Sequence, residues 1–129
     1  MRSLIFGLLV CFTIMATLGC NASDGPRKYP VTGTVTYAGE PIESGSVVFD
    51  PVDGEGPSAM GGIENGVLSA EVTAGEKVLR ISAVRTLDKK DQYGEAITES
   101  YIPAKYNGDS QIRETISADG ENKLAIDLK

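Results

Sequence analysis

The chain has 129 residues, with 12 Lys and Arg against 18 Asp and Glu, and neither His nor Trp. A net charge of −6 argues against nucleic acid, which is bound by Lys and Arg neutralising phosphates, and against polybasic adhesion to anionic lipid. Without His, no Ser–His or Cys–His nucleophile pair can be assembled, and a nitrogen-and-sulfur zinc site lacks ligands.

Met1-Arg2-Ser3 is a short basic head, and Leu4 to Leu18 is an uncharged apolar run of 15 residues. A membrane-spanning helix needs about 20 residues, so this run reads as an export signal. Its end, Ala16-Thr17-Leu18-Gly19-Cys20, resembles the lipobox of bacterial lipoproteins: small residues, then Gly, then Cys. Thr17 stands where the commonest lipobox has Leu. The resemblance implies a signal helix over 1–19 that is cleaved off, with Cys20 lipidated as the new N-terminus. Cleavage removes 19 residues and leaves 110; the removed piece has Arg2 as its only charge, so the mature net charge is −7. Cys11 leaves with the signal, and Cys20 is then a lone thiol with no internal disulfide partner. Residues 20–29 hold Asn, Ser, Asp, Gly and Pro before any alternation begins, the composition of a flexible tether.

From Val31 the periodicity is two, the signature of strands. Val31, Gly33, Val35 and Tyr37 share one face, and Ala38-Gly39-Glu40-Pro41 breaks the run. Val47 and Phe49 form the next inward pair, before Asp50-Pro51. Ala59 to Glu64 is a third strand, and Asn65-Gly66 is a two-residue hairpin turn. Leu68, Ala70 and Val72 follow; then, after Thr73-Ala74-Gly75, come Leu79, Ile81 and Ala83. In Gln111 to Ser117, Ile112 and Ile116 share a face with Glu114, which predicts either a bulge or an edge strand guarded by an inward charge. Leu124, Ile126 and Leu128 form the last inward set. Seven short strands with regular turns predict an all-β fold, a single seven-stranded antiparallel β-sandwich over residues 30–129 of the Ig-like or transthyretin-like kind.

The motifs Val31-Thr-Gly-Thr-Val-Thr36, Gly39-Glu-Pro-Ile42 and Val47-Val-Phe-Asp-Pro51 resemble the opening of carboxypeptidase-regulatory-like domains. Ile102-Pro-Ala-Lys-Tyr-Asn107 is similar to a segment of short envelope lipoproteins built on that fold. The resemblance covers roughly residues 30–128 and implies a transthyretin-like sandwich. It implies no peptidase activity, because in peptidases this is an accessory domain.

Candidate chemistry is sparse. Gly56-Pro-Ser-Ala-Met-Gly61-Gly62 lacks the Lys and hydroxyl residue of a phosphate loop. Asp50, Asp53 and Glu55 cluster in one loop, where carbonyls could complete a calcium shell, but the spacing is not that of an EF-hand and solvated acidic turns are commoner. Lys28 and Asn122 are a suggestive Lys–Asn pair for an isopeptide bond but lie outside the expected strands. No cofactor is expected, and paired carboxylates without Trp or a deep cleft argue against a glycosidase.

Arg85 to Gly108 interrupts the alternation for longer than a hairpin loop does. It carries three of the five tyrosines, Tyr93, Tyr101 and Tyr106, among Arg85, Lys89, Lys90 and Lys105. Tyr with scattered charge suits an interaction surface, so the three are the partner-binding candidates; against this, Ile102 to Tyr106 reads better as a cap on the core, and Thr86 to Ala96 fits either reading. The expectation is therefore a monomeric, lipid-anchored protein of the cell envelope, on the extracytoplasmic side of a membrane. It is non-catalytic and binds an envelope protein or polysaccharide; the alternative is a passive structural lipoprotein without a specific ligand.

Overall fold

The structure is a computed structural model that describes residues 25–129. The expected signal sequence, Cys20 and the first part of the expected tether lie outside the described residues. Among those described, the fold is all-β: nine strands, one short 3-10 turn and no α-helix. The strands are β1 (Lys28–Tyr37), β2 (Glu40–Pro41), β3 (Ser44–Pro51), β4 (Ala59–Glu64), β5 (Val67–Thr73), β6 (Gly75–Lys90), β7 (Ala96–Ser100), β8 (Arg113–Ile116) and β9 (Asn122–Leu128), with the 3-10 turn at Ala104–Tyr106.

The hydrogen-bonded path runs β2-β1-β5-β4-β3-β6-β7, with β9 on the other side of β1 and β8 beside β7 on the far side of β6. Ile116 of β8 and Leu128 of β9 stand near opposite ends of this path, yet both belong to the same buried cluster as Val35, Phe49, Leu68 and Ile81. A single sheet can bring its two ends onto one core only by curling, which its right-handed twist favours.

Local chemistry explains the joints. Asn65 and Gly66 have φ of 49° and 78°, the left-handed pair of a type I′ hairpin turn, and they join β4 to β5. Gly33 is required by a close approach: a Cβ there would stand 2.3 Å from the carbonyl oxygen of Leu124 on the neighbouring β9.

The inward sets expected from alternation are buried on β3, β5 and β6; on β1 Val31 and Val35 are buried while Gly33 and Tyr37 are half-buried, and Ile42, Ile63 and Ile102 join the core. Ile42 is fully buried although it lies between strands, because the chain dives inward after β2.

Four expectations are corrected. The strand count among the described residues is nine and not seven, because β2 is only two residues long and β7 carries no apolar alternation. The sheet is not wholly antiparallel, since β9 runs parallel to β1 from Val31↔Asn122 to Tyr37↔Leu128; period-two alternation carries no information on direction. β1 begins at Lys28 and not near residue 30. Pro30 is tolerated inside it because β9 pairs only from Val31 onward, so that side of the strand is still an edge. Finally, Arg85–Gly108 is not an extended loop. β6 continues to Lys90 and folds back as β7, forming a two-stranded ribbon exposed on most of both faces and without a buried residue, so it lacks the apolar alternation that marks the central strands.

The ambiguity at Glu114 is resolved in favour of the edge. β8 pairs with β6 alone, in unbroken register from Gly75↔Ile116 to Val78↔Arg113, without a bulge. Glu114 lies directly opposite Lys77, whose ammonium is buried and donates to Thr73 Oγ1 at 2.8 Å.

Candidate functional site: a tyrosine-lined cleft at one end of the sheet

The inward faces of β1 and β6 run one step past the core, and these extra positions build a cleft. On β1 the position after Val35 is Tyr37; on β6 the position after Ala83 is Arg85. The Tyr101 N–H reaches the Ala83 carbonyl at 3.4 Å, which sets the Tyr101 ring beside both. The rings of Tyr37 and Tyr101 stand 5.8 Å apart with their planes inclined at 52°, and the Arg85 guanidinium lies 5.3 Å from the centre of the Tyr101 ring. A tilted aromatic pair with a cation over one face is a favourable, oriented arrangement.

Arg85 is held from its other side by Glu99, whose Oε1 accepts from Nε at 2.6 Å. Pro41, Glu40, Glu43 and the half-exposed Val84 complete the walls of a concavity of about 390 Å³. Burial raises the pKa of the Tyr101 phenol above the usual 10.0 and the Glu43 carboxylate raises it further, against the opposing effect of Arg85. Tyr101 is therefore a neutral hydroxyl at physiological pH, able to donate or accept a hydrogen bond.

The three tyrosine candidates fall in three different settings. Tyr101 is in the cleft. Tyr93 is 81% exposed at the tip of the β6–β7 ribbon. Asp91 builds that tip, its Oδ1 accepting the N–H groups of Tyr93 at 2.8 Å and Glu95 at 2.9 Å, while Gly94 takes a φ of 82°. Tyr106 is committed elsewhere: its hydroxyl donates to the Lys129 carbonyl and accepts the Lys129 N–H at 2.9 Å, tying the 3-10 turn to the far end of β9. Desolvation raises the Tyr106 pKa, but Lys105 and the Lys129 main chain outweigh it and hold the phenol below its usual value.

The acidic loop is not brought together as a ligand set. Asp50 accepts the Ser58 hydroxyl and pairs with Arg80 at 2.7 Å, while Asp53 accepts the main-chain N–H of Glu55 at 2.9 Å. Among the described residues no three His, Cys, Asp or Glu side chains are grouped to hold a metal ion. Asn122 is likewise spent locally, on the N–H and carbonyl of Ser117.

Val84 and Glu43 are site residues that the sequence did not single out, and alternation marked Tyr37 only as a core-facing position. The available signal was positional: Tyr37 is the inward position just beyond the last buried residue of its strand. A second concavity, of about 470 Å³, lies over Gly33, Val67 and Leu124 on β1, β5 and β9; it has no aromatic wall. In comparisons with protein-family models, curated proteins and solved structures, nothing matches this chain.

Proposed function

We propose that the protein is a lipoprotein of the cell envelope, anchored through acylated Cys20, whose transthyretin-like β-sandwich is a non-catalytic binding module. The cleft between Tyr37 and Tyr101 is its binding site. The observation that carries this reading is the position of that cleft on β1. The tether enters at Lys28 and the cleft begins at Tyr37, at opposite ends of a ten-residue strand about 30 Å long. An N-terminal lipid anchor therefore attaches at the end of the fold opposite the cleft and the β6–β7 ribbon, which leaves both accessible to a partner. Interface energy concentrates in Tyr, Trp and Arg, and the cleft combines two of the five Tyr with Arg85.

The test is site-specific photocrosslinking in cells. A photoreactive residue at Val84 in the cleft wall is expected to capture an envelope protein or polysaccharide. The same residue at Met60, exposed on β4, is the control and should not capture it. Equal capture at both positions, or none at Val84, would remove the cleft from the proposal.

A further inference from the structure

Beside the cleft, part of the edge of β6 is left without a strand. β3 pairs with β6 only as far as Gly45↔Ala83, because the chain turns inward at Ile42. β6 nevertheless continues to Lys90, and beyond Ala83 it is partnered on one side alone, by β7.

The main-chain groups of that edge are aimed at the gap. The Leu79 N–H bonds Ile112 and the Ala83 carbonyl bonds Tyr101, both on the β7–β8 side. In an antiparallel ladder the direction of N–H and carbonyl alternates, so Thr86 turns its pair toward the side that β3 has left. A two-stranded ribbon is at best marginally stable alone in water, and a third strand would reinforce it. Edge strands are commonly guarded by charge. Here Asp88, Lys89 and Lys90 guard the outer part, while Val84 and Thr86 at the base carry none.

Charge selects the occupant. Arg85 is already paired with Glu99, and neither Glu40 nor Glu43 forms an ion pair among the described residues. The free charge at the mouth of the cleft is therefore negative. We propose that the cleft receives an extended, basic peptide segment of a partner protein, added as a strand along the base of the β6–β7 ribbon where β3 has turned away. This rests on the binding-module reading and names its class of partner. Main-chain bonds at Thr86 would hold the segment, and its alternating Lys or Arg side chains would meet Glu40 and Glu43, the division of labour usual in strand addition.

The test uses the full chain in detergent with three synthetic heptapeptides: alternating Val–Lys, alternating Val–Glu, and the Val–Lys peptide N-methylated on alternate amides. The Val–Lys peptide is expected to bind and to slow hydrogen exchange of the Thr86 amide. The Val–Glu peptide should bind about tenfold more weakly or worse, as like charges repel. The N-methylated peptide, which keeps charge and side chains but loses its strand edge, should not bind. Glu43→Gln should weaken the Val–Lys peptide severalfold with Tm unchanged.

Equal binding of the N-methylated peptide would overturn strand addition, and equal binding of the Val–Glu peptide would overturn the charge assignment. If no peptide binds while the Val84 crosslinker captures polysaccharide, the peptide proposal fails and the binding module stands. If Val84 captures nothing, both fail.

Discussion

Asn122 holds Ser117 with both ends of its side-chain amide: Oδ1 accepts the Ser117 N–H at 2.8 Å and Nδ2 donates to the Ser117 carbonyl at 3.0 Å. The pair closes the turn between β8 and β9, the two strands at the free ends of the curled sheet. Asn122 is 6% exposed, so a substitute that cannot make these bonds leaves main-chain groups of the turn without their partner. Asn122→Ala is expected to cost about 1–2 kcal/mol in denaturant unfolding. Asn122→Asp, which keeps the acceptor but sets a largely buried carboxylate oxygen against the Ser117 carbonyl, should cost at least as much at neutral pH. A variant as stable as the wild type would mean that Val31↔Asn122 pairing alone holds the start of β9.

Asp50 gives the fold a pH dependence of known sign. The Ser58 hydroxyl lowers its pKa below the usual 3.8, burial works against this, and the hydrogen bond and charge of Arg80 lower it further. A carboxyl that ionises at lower pH in the folded than in the unfolded chain contributes stability that is complete above the unfolded value. That contribution is lost as pH falls through the folded one. Asp50→Asn should therefore be less stable than the wild type at pH 7, with the gap closing below about pH 4. The pair is partly exposed, with Arg80 41% accessible, so the difference at neutral pH should be at most about 1 kcal/mol. A gap that widened on acidification would contradict this arrangement.

Much of the fold was legible because half of each central strand faces a single core. Val47, Phe49, Leu79 and Ile81 alternate with outward residues, and from Val47 to Phe49 and from Leu79 to Ala83 burial follows that alternation. Lys77 shows where the pattern misleads: it occupies an inward position at the sheet margin and is buried with its ammonium bonded to Thr73, a solution hydropathy does not encode. β7 was invisible for the opposite reason. Ala96 to Ser100 has no fully buried position, and of its two half-buried residues, Ile97 and Glu99, one is charged, so no apolar alternation appears and its sequence reads as loop.

The candidate site was half legible for a related reason. Tyrosine content pointed to Tyr93, Tyr101 and Tyr106, yet only the fold separates them. The partner of Tyr106 is Lys129, 23 residues away, and that of Tyr101 is Tyr37, from the first strand. Contacts made across such spans have no local signature in sequence.

Acylation of Cys20 is tested by mass. The membrane-fraction protein is expected to begin at Cys20 and to carry acyl chains, so that 110 residues of the 129 remain. Cys20→Ala should accumulate as unprocessed precursor. A mature chain with an unmodified N-terminus at another residue would sink the anchor, and with it the placement of the cleft at the end of the fold opposite the membrane attachment.

The tip of the ribbon and the cleft predict different outcomes when their tyrosines are removed. Tyr93 is 81% exposed and its side chain has no hydrogen bond or ring partner among the described residues; only its main chain is used, by Asp91. Tyr93→Ala should therefore leave Tm within about 1 °C of the wild type, as surface substitutions away from packed features usually do. Tyr106→Ala removes the link to Lys129 and should lower Tm clearly. Tyr101 lies between these cases, because its ring packs against the core and faces Tyr37. Tyr37→Ala and Tyr101→Ala should each lose most of the capture seen at Val84, a cost of about 2 kcal/mol or more for a central aromatic anchor. Tyr101→Phe separates the ring from its hydroxyl: capture retained in that variant assigns binding to ring packing, and capture lost assigns it to the neutral phenol that burial and Glu43 maintain. If Tyr93→Ala abolished capture while Tyr37→Ala did not, the partner would engage the tip, and the cleft would be only the hinge from which the ribbon stands.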